Sequence, residues 1–431
     1  MTSLNLFISS GSQSNDAYTQ QVIKSLQEQM PPDAGLKLWG IGGQELKKQN
    51  VEIIQDSSIF DLNDPISFLK NIFSLIALEN KLIQELKTRK PDMALLVNNS
   101  IVNLRLAALI KKHIPFCKVI YYIAPQVWAW NEKRIKEIPN LIDRLLTVLP
   151  FEEPLHREFG TSAKFIGHPA VWELIEEDGK SFNRKKFLSS LEINNSNKVI
   201  ALCPGSKQRE IEQMLPVFIE AAKDLIKRQA KLDFVLVRAS SIEKELINKI
   251  LKQNAAPKGL FKMVDNQDLY KTLKSAEVAW CHAGTVTLQA AYCETPSIIA
   301  FKEHPWIWKL IQKLRRITFM GLPNIIAGGT ICPELIQENC KHEKLSLTTL
   351  EFLDSTEGLK DLKAALAEKV KDFFVFDLNP ASIVAHEILM IHQINRTSLE
   401  NQIHMREQAK KNSQKTSVEI NTDPSLNRQK I

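Results

Sequence analysis

The stretch KVIALCPGSKQREIEQMLPVF (198–218) decides the fold. It joins an unbroken apolar run, a short loop with one glycine, and a helix whose Ile211, Met214, Leu215 and Phe218 have the i, i+3, i+4, i+7 spacing of one buried face. An apolar run without polar alternates is typical of a strand covered on both faces, and therefore of a parallel sheet. The stretch predicts a βα unit of an α/β protein.

The same alternation recurs on both sides of this stretch. Further strands are predicted at LNLFI (4–8), MALLV (93–97), KVIYYI (118–123), RLLTVL (144–149), FVLV (234–237), EVAWC (277–281) and SIIAF (297–301). The segment 170–196 is polar and weakly patterned, which predicts a linker. We therefore expect two doubly wound, Rossmann-like domains that face a cleft, an N-terminal one at 1–169 and a C-terminal one at 197–378.

The end of the chain predicts a helix and a tail. Asn379 and Pro380 form a helix start, with a capping side chain followed by proline at the first helical position. The helix is expected at 379–396. Because 397–431 is polar and rich in lysine, we expect that segment to be disordered.

Composition limits the function classes. The 431 residues carry 56 Lys+Arg and 49 Asp+Glu, a net charge of +7, with 44% hydrophobic and 24% charged residues. These values are typical of a globular protein and argue against a dedicated nucleic-acid binder. Six cysteines without a C-x-x-C motif, no signal peptide and no run of about 18 apolar residues predict a cytoplasmic protein with reduced thiols. The scattered histidines predict neither a metal site nor a cofactor.

Two strand-to-helix turns are candidate diphosphate sites. In CPGSKQRE (203–210), Gly205 allows close backbone approach, Ser206 offers a hydroxyl and Lys207 a cation, and the next helix presents unsatisfied N–H groups. In HAGTVTLQ (282–289), Gly284 and Thr285 form a second turn at the same sheet edge. Two such turns favour a phosphate ligand over the alternative of ordinary βα turns.

Two further loops have weaker signals. In GLPNIIAG (321–328), Asn324 is either a turn residue or a group that contacts a sugar or base. In the N-terminal loop SSGSQSND (9–16), Ser14 and Asp16 are either helix caps or groups that bind a hydroxyl.

Tryptophans occur next to cations in two segments, IAPQVWAWNEKR (123–134) and KEHPWIWKLIQKLRR (302–316). This pattern, together with the apolar segment 59–78, predicts a protein that works at a lipid surface. The candidate membrane or acyl contacts are Trp128, Trp130, Trp306 and Trp308; the alternative is that each segment belongs to the core.

Several motifs resemble the lipid-A-disaccharide synthases in content and order. They are APQVWAWNEKRIKEI (124–138), LPFEEPLHREFG (149–160), FIGHPA (165–170), LCPGSKQREIE (202–212), HAGTVTLQAAYCETP (282–296) and GLPNIIAG (321–328). The resemblance covers most of residues 4–395. It implies the GT-B architecture, in which the C-terminal helix returns toward the N-terminal domain.

The resemblance also implies an activity. Such enzymes are inverting glycosyltransferases, which transfer 2,3-diacylglucosamine from its UDP carrier to 2,3-diacylglucosamine 1-phosphate. The products are lipid A disaccharide 1-phosphate and UDP. The resemblance further implies peripheral association with the inner membrane, a homodimer, and a UDP site that includes Gly205, Ser206, Lys207, Gly284, Thr285, Gln289 and Asn324.

The chain departs from the family where the general base is expected. The family's I-D-A-P-D-F-N is VNNSIVN (97–103) here, so Asn98 and Ile101 replace its two aspartates while Asn103 is retained. Lys207 and Gln289 replace an arginine and a glutamate. The candidate acceptor and catalytic residues are therefore Ser14, Asp16, Asn98 and Asn103.

This departure has three interpretations. The chain is an active synthase with another base such as Asp16, a transferase with a changed acceptor, or a non-catalytic relative that binds nucleotide or lipid. A different GT-B enzyme, such as a UDP-N-acetylglucosamine transferase or epimerase, is a further alternative, against which the W-A-W motif argues.

Overall fold

The computed structural model describes residues 3–11, 15–60, 72–130, 132–228 and 231–398. The predicted tail, most of the predicted apolar segment 59–78, and Ser14 lie outside the described residues or at their edge. The predicted α/β fold with two Rossmann-like parallel sheets is confirmed.

The first sheet has seven strands in the order β3-β2-β1-β4-β5-β6-β7, and the second has six in the order β10-β9-β8-β11-β12-β13. The strands are β1 (Leu4–Ser9), β2 (Leu36–Gly42), β3 (Glu52–Asp56), β4 (Met93–Val97), β5 (Lys118–Tyr122), β6 (Arg144–Thr147), β7 (Ala163–Phe165), β8 (Lys198–Cys203), β9 (Leu232–Arg238), β10 (Phe261–Asp265), β11 (Val278–His282), β12 (Ser297–Phe301) and β13 (Glu334–Ile336). In each sheet the strand order reverses once, between β1 and β4 and between β8 and β11. Ligands of open parallel sheets bind outside the carboxyl ends of the strands at such a reversal.

Helices connect and cover the strands. They are α1 (Asp16–Gln29), α2 (Gln44–Lys47), α3 (Ile72–Arg89), α4 (Ser100–His113), α5 (Val127–Trp130), α6 (Ile138–Leu141), α7 (Glu152–Glu158), α8 (Pro169–Asp178), α9 (Arg184–Ser190), α10 (Gln208–Arg228), α11 (Lys244–Gln253), α12 (Leu269–Ser275), α13 (Thr285–Tyr292), α14 (Pro305–Leu314), α15 (Leu322–Ala327), α16 (His342–Asp354), α17 (Thr356–Lys369) and α18 (380–398). No helix among these is long and apolar enough to cross a membrane.

The stretch that decides the fold forms the predicted βα unit. β8 is followed by the turn at 204–207 and then by α10, whose predicted apolar face is fully buried. This face packs into the core of the second sheet with Phe234 and Trp280. The packing of an amphipathic helix on a buried strand fixes the position of the turn between them.

The described residues form two compact units, one made of those up to 122 together with those from 381 to 398, and one made of those from 123 to 380. α18 belongs to the first unit, where the Gln29 side chain donates hydrogen bonds to the backbone and hydroxyl oxygens of Ser382 at 3.1 and 3.0 Å. The C-terminal helix thus returns to the N-terminal unit, as the resemblance implies.

The segment 170–196, which was predicted as a linker, contains most of α8 and all of α9. Its apolar residues Leu174 and Leu188 are buried. Val171, Leu174 and Ile175 have the i, i+3, i+4 spacing of a helix face, a signal that the interpretation as a polar linker did not use. The predicted limits of the domains, 1–169 and 197–378, stay a prediction.

Candidate active site

The two turns predicted to bind a diphosphate lie on neighbouring strands. β8 and β11 pair directly, with Cys203 opposite Cys281, so the turn at 204–207 and the turn at 283–284 leave the same edge of the sheet. This edge is the point of reversal of the second sheet. The structure therefore brings together five predicted donor-site residues: Gly205, Ser206, Lys207, Gly284 and Thr285.

His282 lies between the two turns at the end of β11. It is 7% exposed, and burial lowers the pKa of its imidazole. The Glu210 carboxylate opposes this shift, whereas the Lys207 ammonium adds to it. Because charges of the first turn act on a residue of the second, the two turns share one electrostatic environment.

The first turn is capped by a carboxylate of the chain itself. The N–H groups of Ser206 and Lys207 donate to Oε2 of Glu210 at 2.9 and 3.2 Å. These two backbone donors precede the helix and are satisfied by the chain's own carboxylate, whereas the predicted phosphate contact of the N–H groups at the start of α10 stays a prediction. The exposed side chain of Lys207 is then the cationic group that this turn presents.

The second turn has no side-chain cap from its N-cap residue. α13 begins at Thr285, and the residue before it, Gly284, has no side chain with which to cap the first turn. Thr287 donates instead to the carbonyl oxygen of Gly284 at 2.8 Å, which shapes the turn. An uncapped helix N-terminus at the reversal point of the sheet favours an anionic ligand there.

Gln289, which the resemblance places at the position of a glutamate, is 7% exposed. Its Nε2 donates to the carbonyl oxygen of Ala170 at 3.1 Å, which ties α13 to the start of α8. Part of its amide therefore holds the scaffold together, and its contact with a nucleotide stays a prediction.

Asn324 is fully buried, and its amide makes four hydrogen bonds inside its own loop. Oδ1 accepts from the N–H groups of Ile331 and Cys332, and Nδ2 donates to the Cys332 carbonyl and to Glu334, all at 2.8 Å. An amide has two donors and room for two acceptor bonds, so its capacity is used. In this geometry Asn324 holds the loop after α15, and its contact with substrate stays a prediction.

The reversal point of the first sheet lies between β1 and β4. The loop after β4 has Asn98 and Asn99 in left-handed conformation, with φ of 54° and 39°, which asparagine tolerates better than most residues. Asn98 Nδ2 donates to Oδ1 of Asn15 at 3.2 Å, and Asn99 Nδ2 to the Gly11 carbonyl at 2.6 Å. These amides join the loops after the two strands.

Asn103 was predicted as a catalytic residue, but it is fully buried. Its Nδ2 donates to the carbonyls of Val97 and Asn98 at 2.9 Å, and its Oδ1 accepts from Ser9 Oγ at 2.7 Å. These bonds hold the loop that carries Asn98, and a catalytic role of Asn103 stays a prediction.

Asp16 is the first residue of α1 and is 3% exposed. Its Oδ2 accepts from the N–H of Gly43 at 2.7 Å. The carboxylate thus lies next to Asn15, which contacts Asn98. The structure brings Asp16 and Asn98 to the same edge of the first sheet.

The tryptophans divide into separate environments. Trp306 is 50% exposed on α14, whereas Trp308 is 8% exposed beneath the guanidinium of Arg315, whose carbon lies 5.1 Å from the ring centre. The ring of Trp308 packs in the protein, and its predicted membrane or acyl contact stays a prediction. The side chain of Trp130 lies outside the described residues.

Trp128 is also held from within the protein. Its indole N–H donates to Oε1 of Glu152 at 3.1 Å, and its ring meets Phe151 edge to face at 4.9 Å. Two motifs that carry the resemblance, W-A-W and P-F-E, therefore join each other. The ring of Trp128 is half-buried, and its predicted membrane or acyl contact stays a prediction.

Glu152 predicts a pH-dependent stability. It is 1% exposed, and burial raises the pKa of its carboxyl to about 7 from 4.5 although two backbone N–H groups and Trp128 donate to it. Because the folded pKa is the higher one, Glu152 contributes stability below pH 4.5 that is lost as the pH rises through 7. Between pH 4.5 and 8 the free energy of unfolding of the wild type should fall by about 3 kcal/mol relative to that of Glu152→Gln.

Urea unfolding of both proteins across this pH range measures that difference. The variant Glu158→Gln, at an exposed position of the same helix, is the matched control and should follow the wild type. Parallel pH curves for wild type and Glu152→Gln would contradict the assignment.

Among the residues that the structure describes, no three histidine, cysteine or acidic side chains come together as a metal site.

The architecture defines the class: the two parallel sheets are those of the GT-B proteins. The fold is similar to that of UDP-GlcNAc 2-epimerase from Neisseria meningitidis bound to UDP-GlcNAc, with a TM-score of 0.56 and 12% identity. The match covers 90% of this chain and 100% of the epimerase chain. A putative UDP-N-acetylglucosamine 2-epimerase from Listeria monocytogenes gives a TM-score of 0.53 at 13% identity, over 90% and 94% of the two chains. These likenesses show the fold alone.

Sequence comparison gives the family. The lipid-A-disaccharide synthetase family model matches residues 6–387. The lipid-A-disaccharide synthase of Geobacter sulfurreducens is 31% identical over 366 residues, 85% of this chain and 92% of that protein. Lipid-A-disaccharide synthase 1 of Legionella pneumophila strain Lens is 31% identical over 386 residues, 87% and 97% of the two chains. The chain belongs to the lipid-A-disaccharide synthetase family of glycosyltransferases.

Proposed function

We propose that the protein transfers 2,3-diacylglucosamine from UDP-2,3-diacylglucosamine to 2,3-diacylglucosamine 1-phosphate, forming lipid A disaccharide 1-phosphate and UDP. The observation that carries this proposal is the pair of adjacent turns at the reversal point of the second sheet. The resemblance adds the substrates, and the family adds the general reaction.

The donor side stabilises the leaving group. The bond between C1 of the donor sugar and the β-phosphate oxygen breaks, and its electrons move to UDP. The Lys207 ammonium and the N-terminus of α13 offer positive charge to the diphosphate, and Gly284 and Thr285 form the turn that receives it. Electrostatic stabilisation of this kind is available without a metal ion.

The acceptor side removes a proton. The acceptor's 6-hydroxyl oxygen forms the new bond to C1 from the opposite face of the sugar, and its proton passes to a base. Asp16 is the proposed base, since Asn98 and Ile101 replace the acidic residues of the family. Ser14 and Asn98 are proposed to contact the acceptor.

Release of UDP from a panel of substrates tests this function. We expect release with the acylated acceptor and none with glucosamine 1-phosphate, because the acyl chains contribute binding energy. Release with the non-acylated acceptor would favour a different GT-B enzyme. UDP binding by calorimetry without release from any pair would favour a binding homologue.

Peripheral attachment to the inner membrane, on its cytoplasmic side, belongs to this proposal. α14 exposes Trp306 and Leu314, at 50% and 47%, together with Lys309 and Lys313. Aromatic and basic side chains on one short helix suit the headgroup region of an anionic bilayer.

Neutralising α14 should weaken vesicle binding. Each lysine near an anionic surface contributes about 1 kcal/mol, so the double variant Lys309→Gln, Lys313→Gln should lower partitioning onto phosphatidylglycerol vesicles about 30-fold. Co-sedimentation measures this change. Lys249→Gln with Lys252→Gln on α11 removes the same charge at exposed positions and should bind as the wild type does. Equal losses in both double variants would show a non-specific charge effect and contradict the assignment to α14.

A further inference from the structure

The carboxylate of Glu210 fills the N-terminus of α10. Glu210 is the third residue of this helix, and its Oε2 accepts from the backbone N–H groups of Ser206 and Lys207. A glutamate at the third position that reaches back to the residue before the helix forms half of a capping box. The turn before α10 is therefore shaped around this side chain.

Gly205 supports the same conclusion. Its φ is 131°, and a Cβ atom there would lie 2.6 Å from Cβ and 2.7 Å from Oε2 of Glu210. Such distances are too short for any side chain, so the chain passes directly over Glu210 only because residue 205 is glycine. Ser241 Oγ, which donates to the Ser206 carbonyl at 2.6 Å, holds the turn from another side.

The turn is also oriented toward the second one. Oε2 of Glu210 lies 3.8 Å from Nδ1 of His282, and the Lys207 charge acts on the same imidazole. Glu210 thus fixes the backbone of Lys207 beside the end of β11, where the second turn begins.

We propose that Glu210 is a positioning residue for the donor: it holds the Ser206–Lys207 backbone so that the Lys207 ammonium faces the diphosphate at the start of α13. This inference rests on the proposed function. Glu210 acts through the position of Lys207. It does not contact the ligand itself, because its carboxylate would repel a diphosphate.

Calorimetry with UDP on the full chain tests the proposal. Without its capping side chain, the turn should have an about tenfold lower population of its ordered conformation. Glu210→Ala should therefore raise the UDP dissociation constant about tenfold. Glu210→Gln retains an oxygen that accepts both N–H groups and should stay within about threefold of the wild type. Glu212→Gln is the control, since Glu212 lies two residues further along α10 and is exposed. This variant should not change UDP binding.

A double-mutant cycle separates positioning from general stability. If Glu210 acts through Lys207, then Glu210→Ala in a Lys207→Ala background should add less than about twofold to the dissociation constant. The donor KM should rise in Glu210→Ala, and kcat at saturating donor should fall as well, because Lys207 also stabilises the diphosphate as it leaves. Additive effects, or an unchanged dissociation constant in Glu210→Ala, would overturn the proposal. Unchanged UDP binding in Lys207→Ala alone would instead contradict the proposed donor site.

Discussion

Replacement of Asp16 by asparagine should lower the transfer rate about 10²- to 10⁴-fold, which is the contribution expected of a general base. Asparagine has nearly the same shape and keeps an oxygen for the N–H of Gly43, which Oδ2 of Asp16 accepts at 2.7 Å. The variant should therefore fold as the wild type does and bind UDP unchanged. Initial rates of UDP release at saturating substrates measure the effect.

A reverse substitution serves as the comparison for Asp16. Asn98→Asp restores an acid where the family has one, on a loop whose left-handed backbone aspartate also tolerates. It should raise the rate of the Asp16→Asn variant if the acceptor oxygen lies between the two positions. Wild-type rates in Asp16→Asn would remove Asp16 as the base.

Replacement of Asn324 by alanine should destabilise the protein by about 4 kcal/mol. The change removes four hydrogen bonds in a buried loop and leaves the N–H groups of Ile331 and Cys332 without their acceptor. Buried donors without partners cost about 1–3 kcal/mol each. Urea unfolding at one pH gives the difference in free energy of unfolding.

Asn339→Ala is the control for this loss. Asn339 is exposed, and its side chain accepts a hydrogen bond from Lys344 at 3.1 Å, so its removal should cost less than about 0.5 kcal/mol. Similar costs for both variants would mean that the Asn324 network contributes little. UDP binding at low temperature, where both variants are folded, should be close to that of the wild type, because the Asn324 amide is spent on its loop.

The buried strands were predictable because their signal is local. Continuous apolar runs gave the central strands of both sheets, and α10 follows from the spacing of its apolar residues. β2 and β10 were not predicted: glycines interrupt the apolar run of β2, and polar residues alternate in β10. Edge and near-edge strands are less covered, so their composition is closer to that of loops.

The candidate site was predictable at the level of turns and not of partners. Glycine and small polar residues after β8 and β11 marked the two turns, and the reversal of strand order explains why they lie together. The partner of Gln289 is the carbonyl of Ala170, 119 residues away, and no local pattern predicts such a contact. The spacing of Glu210 after Lys207 was a signal for the cap, since glutamate is typical three residues after the start of a helix.

Burial explains why several predicted site residues have structural roles. Asn103 and Asn324 have the side chain of a ligand-binding residue, but both are 0% exposed and hold backbone groups of their own loops. Amide side chains suit either role, and the sequence does not distinguish them. The sequence likewise does not show that the ring of Trp308 is covered, because residues near it in the chain are charged.

The mass of the product tests most directly whether the protein transfers the sugar from the donor to the acceptor. The purified full chain is incubated with UDP-2,3-diacylglucosamine and 2,3-diacylglucosamine 1-phosphate, and the lipids are analysed by mass spectrometry. We expect a species whose mass equals the summed masses of the two substrates minus the mass of UDP, formed in step with released UDP. Unchanged substrates, under conditions where the protein binds UDP, would show that the turns hold a nucleotide without transferring its sugar.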